Sequence, residues 1–178
     1  MQRFTDVEVG TRKTPDFRVF RDGQLVAYCE VKSPRDEWLD DQLRNVEPFQ
    51  IVGGARDDPT FNRIAGLVHK AVKQLDAVNP DRKLPNIVVF VNWAGASHFS
   101  DLKETLTGYL RLTHGGKAPT ILKISEGRIR DEKRRVDAYI WFNGRRRKVE
   151  GIFLTQSDIL HRDAVCSWLG IDAGKIRV

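Results

Sequence analysis

The sequence has little sulfur and no long apolar run. Only two cysteines, Cys29 and Cys166, and one methionine occur in 178 residues. The cysteines have no metal-type spacing, and two thiols build no disulfide framework. They read as reduced, packed residues of a cytoplasmic protein. No segment approaches the roughly 18 consecutive apolar residues of a membrane span. The opening stretch, MQRFTDVEVG, lacks the apolar core of a secretory signal. Internal repeats and low-complexity segments are also missing, so neither membrane nor secreted disulfide chemistry is expected.

What is present reads as one globular domain, residues 1–178, long enough to bury a sizeable core. Apolar residues make up 40% and charged residues 30% of the chain, a soluble composition. The net charge is +6, and the excess is uneven. Residues 128–148, RIRDEKRRVDAYIWFNGRRRK, hold nine Lys/Arg against three acids. Basic charge clustered this way fits a polyanion such as nucleic acid. Charge runs also commonly form nothing more than a solvated face.

The periodicities predict mixed elements. Residues 4–9 read as a first strand, from Phe4 and the alternating Val7 and Val9. Residues 16–21 and 24–32 form a hairpin about Asp22-Gly23. A short helix over 36–47 would turn Trp38, Leu39 and Leu43 inward, and a Gly53-Gly54 loop follows. Asp58-Pro59 opens a helix to about residue 78, with Ile64, Leu67, Ala71, Leu75 and Val78 at helical spacing. NIVVFVNW, 86–93, is a strand apolar enough to be buried on both faces. A helix over 101–112 would be capped by Asp101 and Glu104. Strand 120–125, a helical 128–135, a hairpin about Asn143-Gly144 and a last helix from Ser157-Asp158 to Gly170 complete the chain. The fold class is α/β (α+β), a central mixed β-sheet flanked by helices.

The first hairpin, TPDFRVFRDGQLVAYCEVKSP, carries acids and a lysine at its open end. Side chains alternate along a strand, so Glu30 and Lys32 share one face, and Ala27, Cys29 and Val31 the other. Phe17 and Val19 must join that apolar set. Registers that achieve this set Phe17 opposite Cys29 or Ala27. A plain two-residue Asp22-Gly23 turn would set it opposite Tyr28 and separate Asp16 from Glu30. The expected solution is a three-residue loop ending at Gly23, or a bulge with the same effect. Asp16 then lies opposite or diagonal to Glu30.

Two adjacent carboxylates repel unless one is protonated or a cation lies between them. A hard ion such as Mg²⁺ suits one or two carboxylates plus waters and a phosphate. Lys32 could hold a water or offset charge building on that phosphate. The plainer account of the same residues is a surface ion pair.

Pro15-Asp16 followed by Glu30-Val31-Lys32 across a short hairpin resembles the signature of the PD-(D/E)XK nuclease superfamily. The likeness covers residues 4–93, with 119–178 as an extension of the same domain. It implies a restriction-endonuclease-like core, with Asp16, Glu30 and the Val31 backbone carbonyl as metal ligands and Lys32 as the catalytic lysine. The implied activity is Mg²⁺-dependent hydrolysis of a nucleic-acid phosphodiester, DNA ahead of RNA, with Mn²⁺ as a substitute ion and endonuclease action. Family members often carry another acid on a helix before the first strand. Here so few residues precede Phe4 that this helix is expected to be missing or very short, and Glu8 on the first strand is the substitute ligand.

Further candidates are polar residues in basic or helical contexts. Arg63, Lys70 and Gln74 fall on one stripe of the 59–78 helix, with Lys70 and Gln74 able to contact a phosphate or position water. His69 reads as a surface or packing histidine. Arg145, Arg146, Arg147 and Lys148 sit at a turn and suit phosphate contacts. Tyr139, Trp141 and Phe142 are expected to pack the second hairpin, and Trp93 to close the core. A homodimer is compatible with the family. The alternatives to an enzyme are a non-catalytic nucleic-acid-binding module and an interaction subunit of a larger nuclease assembly.

Overall fold

The computed structural model describes residues 1–34, 44, 46–48, 50, 58–93, 97–112, 115–119, 129–155 and 158–172. The expected helix over 36–47 falls almost wholly outside them, as do the Gly53-Gly54 loop and the strand over 120–125.

Six strands form one mixed sheet in the order β1-β2-β3-β4-β7-β8. They are β1 (Gln2–Arg3), β2 (Phe17–Arg21), β3 (Gln24–Lys32), β4 (Asn86–Asn92), β7 (Ala138–Asn143) and β8 (Lys148–Leu154). The central strands β3, β4 and β7 run parallel, while β1–β2, β2–β3 and β7–β8 are antiparallel. A separate ribbon pairs β5 (Tyr109–Arg111) with β6 (Lys117–Pro119). The helices are α1 (Asp6–Thr11), α2 (Asp58–Asp76), α3 (Phe99–Thr107) and α4 (Ile159–Leu169). The α/β class is as expected, and β7 and β8 complete the same sheet as the hairpin. Among the described residues no helix is long and apolar enough to cross a membrane.

The sheet buries both faces. On one, Ile64, Val68, Ala71, Val72 and Leu75 of α2 and Leu102 and Leu106 of α3 cover Val88, Phe90, Tyr139 and Trp141. On the other, Val165 and Trp168 of α4 pack with Ala27, Cys29, Ile87 and Ala138. Each fully buried aliphatic side chain contributes about 1.5–3 kcal/mol of transfer free energy, so the first layer sets the position of α2 firmly. Tyr139 and Trp141 are fully buried, and the expectation that they pack the hairpin holds.

The first hairpin solves its parity problem with a bulge. Its turn has two residues, not three: Arg21 faces Gln24, and Asp22 and Gly23 both take positive φ (50° and 77°). That is the turn geometry favoured by the strand twist. The register then shifts between Val19 and Phe20, so Val19 faces Ala27 and Phe17 faces Cys29. The extra residue on β3 returns the apolar sets to one face.

Three expectations are corrected. Residues 4–9 are not a strand. Thr5 caps α1, and Glu8 closes a capping box by accepting from the Thr5 N–H at 2.9 Å. Val7 and Val9 are 77% and 57% exposed, so their alternation marks no buried face. In α3 the N-cap is His98, and Asp101 sits one turn inside, its carboxylate accepting from the His98 N–H at 2.6 Å. The helix ends at Gly108, whose left-handed backbone lets its N–H reach the Glu104 carbonyl. Trp93 is not a core residue, being 54% exposed.

Candidate functional site

β3 ends beyond the reach of β2. The antiparallel ladder starts at Phe17 opposite Cys29, which leaves Glu30, Val31 and Lys32 beside Pro15 and Asp16. Pro15 has no N–H to give, and side chains complete the pairing instead. The Asp16 N–H donates to Glu30 Oε2 at 2.9 Å, and the Val31 N–H donates to Asp16 Oδ2 at 2.8 Å. Glu30 thus braces the backbone of Asp16, Asp16 braces that of Val31, and the two acids lie side by side. The N–H and C=O of one strand residue project to the same edge, so the Val31 carbonyl also faces the Asp16 side.

Glu30 is 1% exposed, whereas Asp16 is exposed. Burial pushes the Glu30 carboxyl from its ordinary 4.5 up to about 7, against the lowering pull of Lys32 and with the Asp16 charge adding to the rise. Lys32 Nζ is ion-paired to Glu30 Oε1. Behind them, on the opposite face of β3, burial holds the Cys29 thiol at about 12, which leaves it inert.

α2 holds the lysine from the other side. Gln74 Oε1 accepts from Lys32 Nζ at 2.7 Å, and Gln74 Nε2 donates to the Thr14 carbonyl at 3.0 Å. One amide therefore links the helix, the end of β3 and the chain entering Asp16. Gln74, a candidate for phosphate contact or water positioning, has its amide engaged within the protein, between Lys32 and the Thr14 carbonyl. Its place near the end of α2, two residues before Asp76, carried that signal only once the register of β3 was known. Lys70 is exposed one turn away, and Arg63 is half-buried further up the same helix. His69 is a surface residue 3.0 Å from Glu132.

Glu8 does not join the site. It lies on α1 rather than on a strand, and its carboxylate is taken by Arg18 and Thr5. Those partners hold its pKa at about 2. Arg18 in turn lies 3.8 Å from the centre of the Phe4 ring, fixing α1 against β2. The short helix before β2 does exist and does carry an acid, but that acid serves an ion pair. Among the described residues no group of three or more His, Cys, Asp and Glu side chains is arranged to hold a metal. The available donor set is two carboxylates and one backbone carbonyl. That set fits a hard cation that keeps waters and takes phosphate oxygens as its remaining ligands.

The parallel strands bring the basic turn to the same sheet edge. Lys32 aligns with Phe90, and Phe90 with Trp141. Two residues further on, β7 ends and Gly144–Arg147 turn into β8. At roughly 4.8 Å between strands and 3.3 Å per residue, the turn begins about 14 Å from Lys32. Arg145, Arg146, Arg147 and Lys148 are all exposed. The Arg146 N–H donates to Asn143 Oδ1 at 2.8 Å and Arg147 takes a φ of 51°, so the turn has a defined shape.

No family model, curated protein or solved structure matches the chain.

Proposed function

We propose that the protein is a metal-dependent nuclease hydrolysing nucleic-acid phosphodiester bonds, with DNA ahead of RNA as substrate. The observation that carries this is the joining of Asp16, Glu30 and Lys32 at the open end of one hairpin, with Glu30 buried and its pKa raised to about 7. A buried carboxylate paired with an exposed one is costly for a surface that only needs solubility. It suits a site that takes up a cation.

Asp16, Glu30 and the Val31 carbonyl would hold Mg²⁺, or Mn²⁺ in its place. Bound there, the ion would polarise a phosphoryl oxygen and acidify a water. Lys32, steadied by Gln74, holds an ammonium at the same place, where it stabilises the negative charge that develops on phosphate. The basic turn at the same edge supplies sequence-independent grip on the backbone. The resemblance to the PD-(D/E)XK superfamily points the same way, and the nearness of Asp16, Glu30 and Lys32 to one another supports the reading. The buried free thiols of Cys29 and Cys166 fit a cytoplasmic setting. Cutting both strands of a duplex would take two such sites, which a homodimer would supply.

The test is incubation of plasmid and single-stranded DNA with the purified protein, in Mg²⁺ and in EDTA. Cleavage in Mg²⁺ that EDTA abolishes is the expected outcome. Salt-sensitive binding without cleavage of either substrate would overturn it in favour of a non-catalytic binding module.

A further inference from the structure

Among the described residues, Trp93 is a large aromatic that the core does not use, at the sheet edge carrying Lys32 and the basic turn. It directly follows β4, three residues beyond Phe90, which aligns with Lys32. It is 54% exposed, although the residues on either side of it in space are well fixed. The Gly144 N–H donates to the Asn92 carbonyl at 2.8 Å, and the Asn92 amide donates to the Ser97 carbonyl at 2.6 Å. The side chain is therefore held at its root.

Its ring is also held along one face. A Cβ added to Gly144 would meet three carbons of the six-membered ring, Cδ2, Cε2 and Cε3, at 2.6–2.7 Å. Near-equal distances to three adjacent ring atoms mean that the ring lies flat over the Gly144 backbone rather than touching it by an edge. Gly144 does not take a positive φ. Glycine is needed here for close approach, not for backbone freedom. One face of the indole is backed by glycine, and exposure is left to the other. Immediately after Gly144 come Arg145, Arg146 and Arg147, all exposed.

A rigid aromatic with one open face, beside a run of guanidinium groups, has the two parts of a single-strand platform: a surface for a base to stack on, and charge to follow its backbone. We propose that Trp93 stacks an unpaired base of a single-stranded nucleic acid whose phosphates lie on Arg145–Arg147. This rests on the nuclease proposal for the kind of partner, and it adds selectivity. Bases inside a duplex are stacked on one another and offer no free face, so the platform favours single strands, flaps or frayed ends over intact duplex. Trp93 is one strand across and three residues along from Lys32, roughly 11 Å. A stacked strand rising about 3.4 Å per nucleotide would place the held base some three nucleotides from the phosphate at Asp16 and Glu30.

The experiment is fluorescence anisotropy with a labelled single-stranded DNA oligonucleotide and the matching duplex, in EDTA, for wild type, Trp93→Ala and Trp93→Phe. Thermal unfolding of each variant checks the fold. Trp93→Ala is expected to weaken single-strand binding about tenfold and duplex binding by less than about twofold, with an unchanged salt slope because no charge is lost. Trp93→Phe is expected to keep most of the affinity. Equal loss for both substrates, no loss for the single strand, or a Phe variant as weak as the Ala variant would each overturn the stacking role. Wild type that binds neither substrate in EDTA overturns this proposal, and wild type that also cleaves neither in Mg²⁺ overturns the nuclease proposal with it. Wild type that depends on Trp93 for binding but fails to cleave the same oligonucleotide when Mg²⁺ is added overturns only the latter.

Discussion

At Glu30 the chain buries a carboxylate that it does not fully compensate. Lys32 and the Asp16 N–H stabilise its charge, but desolvation outweighs them and lifts the pKa to about 7. Folding therefore favours the protonated form. The stabilisation associated with that form is complete below about pH 4.5 and is lost as pH rises through about 7. A rise of this size corresponds to about 3 kcal/mol. Glu30→Gln, which cannot ionise, should gain stability relative to wild type between about pH 5 and pH 8 by an amount of that order. Urea unfolding at the two pH values in EDTA measures it, and parallel pH dependence of the two proteins would contradict it. A cation bound at Asp16 and Glu30 should reverse the effect at high pH, since it needs both groups ionised. Asp16 and Glu30 were legible in the sequence because alternation along a strand fixes which side chains share a face. Gln74 was legible as a polar helix residue, but its partner was not, because Lys32 is 42 residues away in sequence.

Among the elements, α2 does more than cover the sheet. Its apolar stripe, Ile64, Val68, Ala71, Val72 and Leu75, seats it on β3 and β4. That seating aims Gln74 at Lys32 and at the Thr14 carbonyl. Gln74→Ala should leave Lys32 ion-paired to Glu30 but no longer held from the helix. The expected result is a fall in kcat of about tenfold with KM nearly unchanged, and a stability loss of about 1 kcal/mol. Steady-state cleavage kinetics and urea unfolding check the two parts; a change confined to KM would assign Gln74 to substrate contact instead. α2, β4, both hairpins and α4 were readable because period, capping and turn signals agreed in each. α1 was misread because Val7 and Val9 mimic a strand, although Thr5 and Glu8 at capping-box spacing signalled a helix. The β5–β6 ribbon has three residues per strand, too few for alternation to register.

Across the whole molecule, the three parallel strands end at one edge, so charge that is dispersed in sequence converges in space. Asp16 and Lys32 at one end of that edge and Arg145–Arg147 at the other lie on a line that a nucleic-acid backbone could follow. Replacing Arg145, Arg146 and Arg147 together by Ala should reduce the slope of log affinity against log salt by about 2–3 for duplex DNA. An unchanged slope would remove the turn from the binding surface. The sequence showed this turn as a basic cluster but not its place, since the crossovers that bring β7 beside β4 depend on long-range packing.

The central claim is that Asp16, Glu30 and Lys32 act as one phosphodiester-cleaving site. Single-turnover cleavage of DNA in Mg²⁺ by wild type, Asp16→Ala and Lys32→Ala tests it most directly. The account predicts metal-dependent cleavage by wild type and a loss of at least about 100-fold in each variant, with both still binding DNA. Cleavage by both variants at the wild-type rate, or none by wild type under any divalent ion, would contradict it.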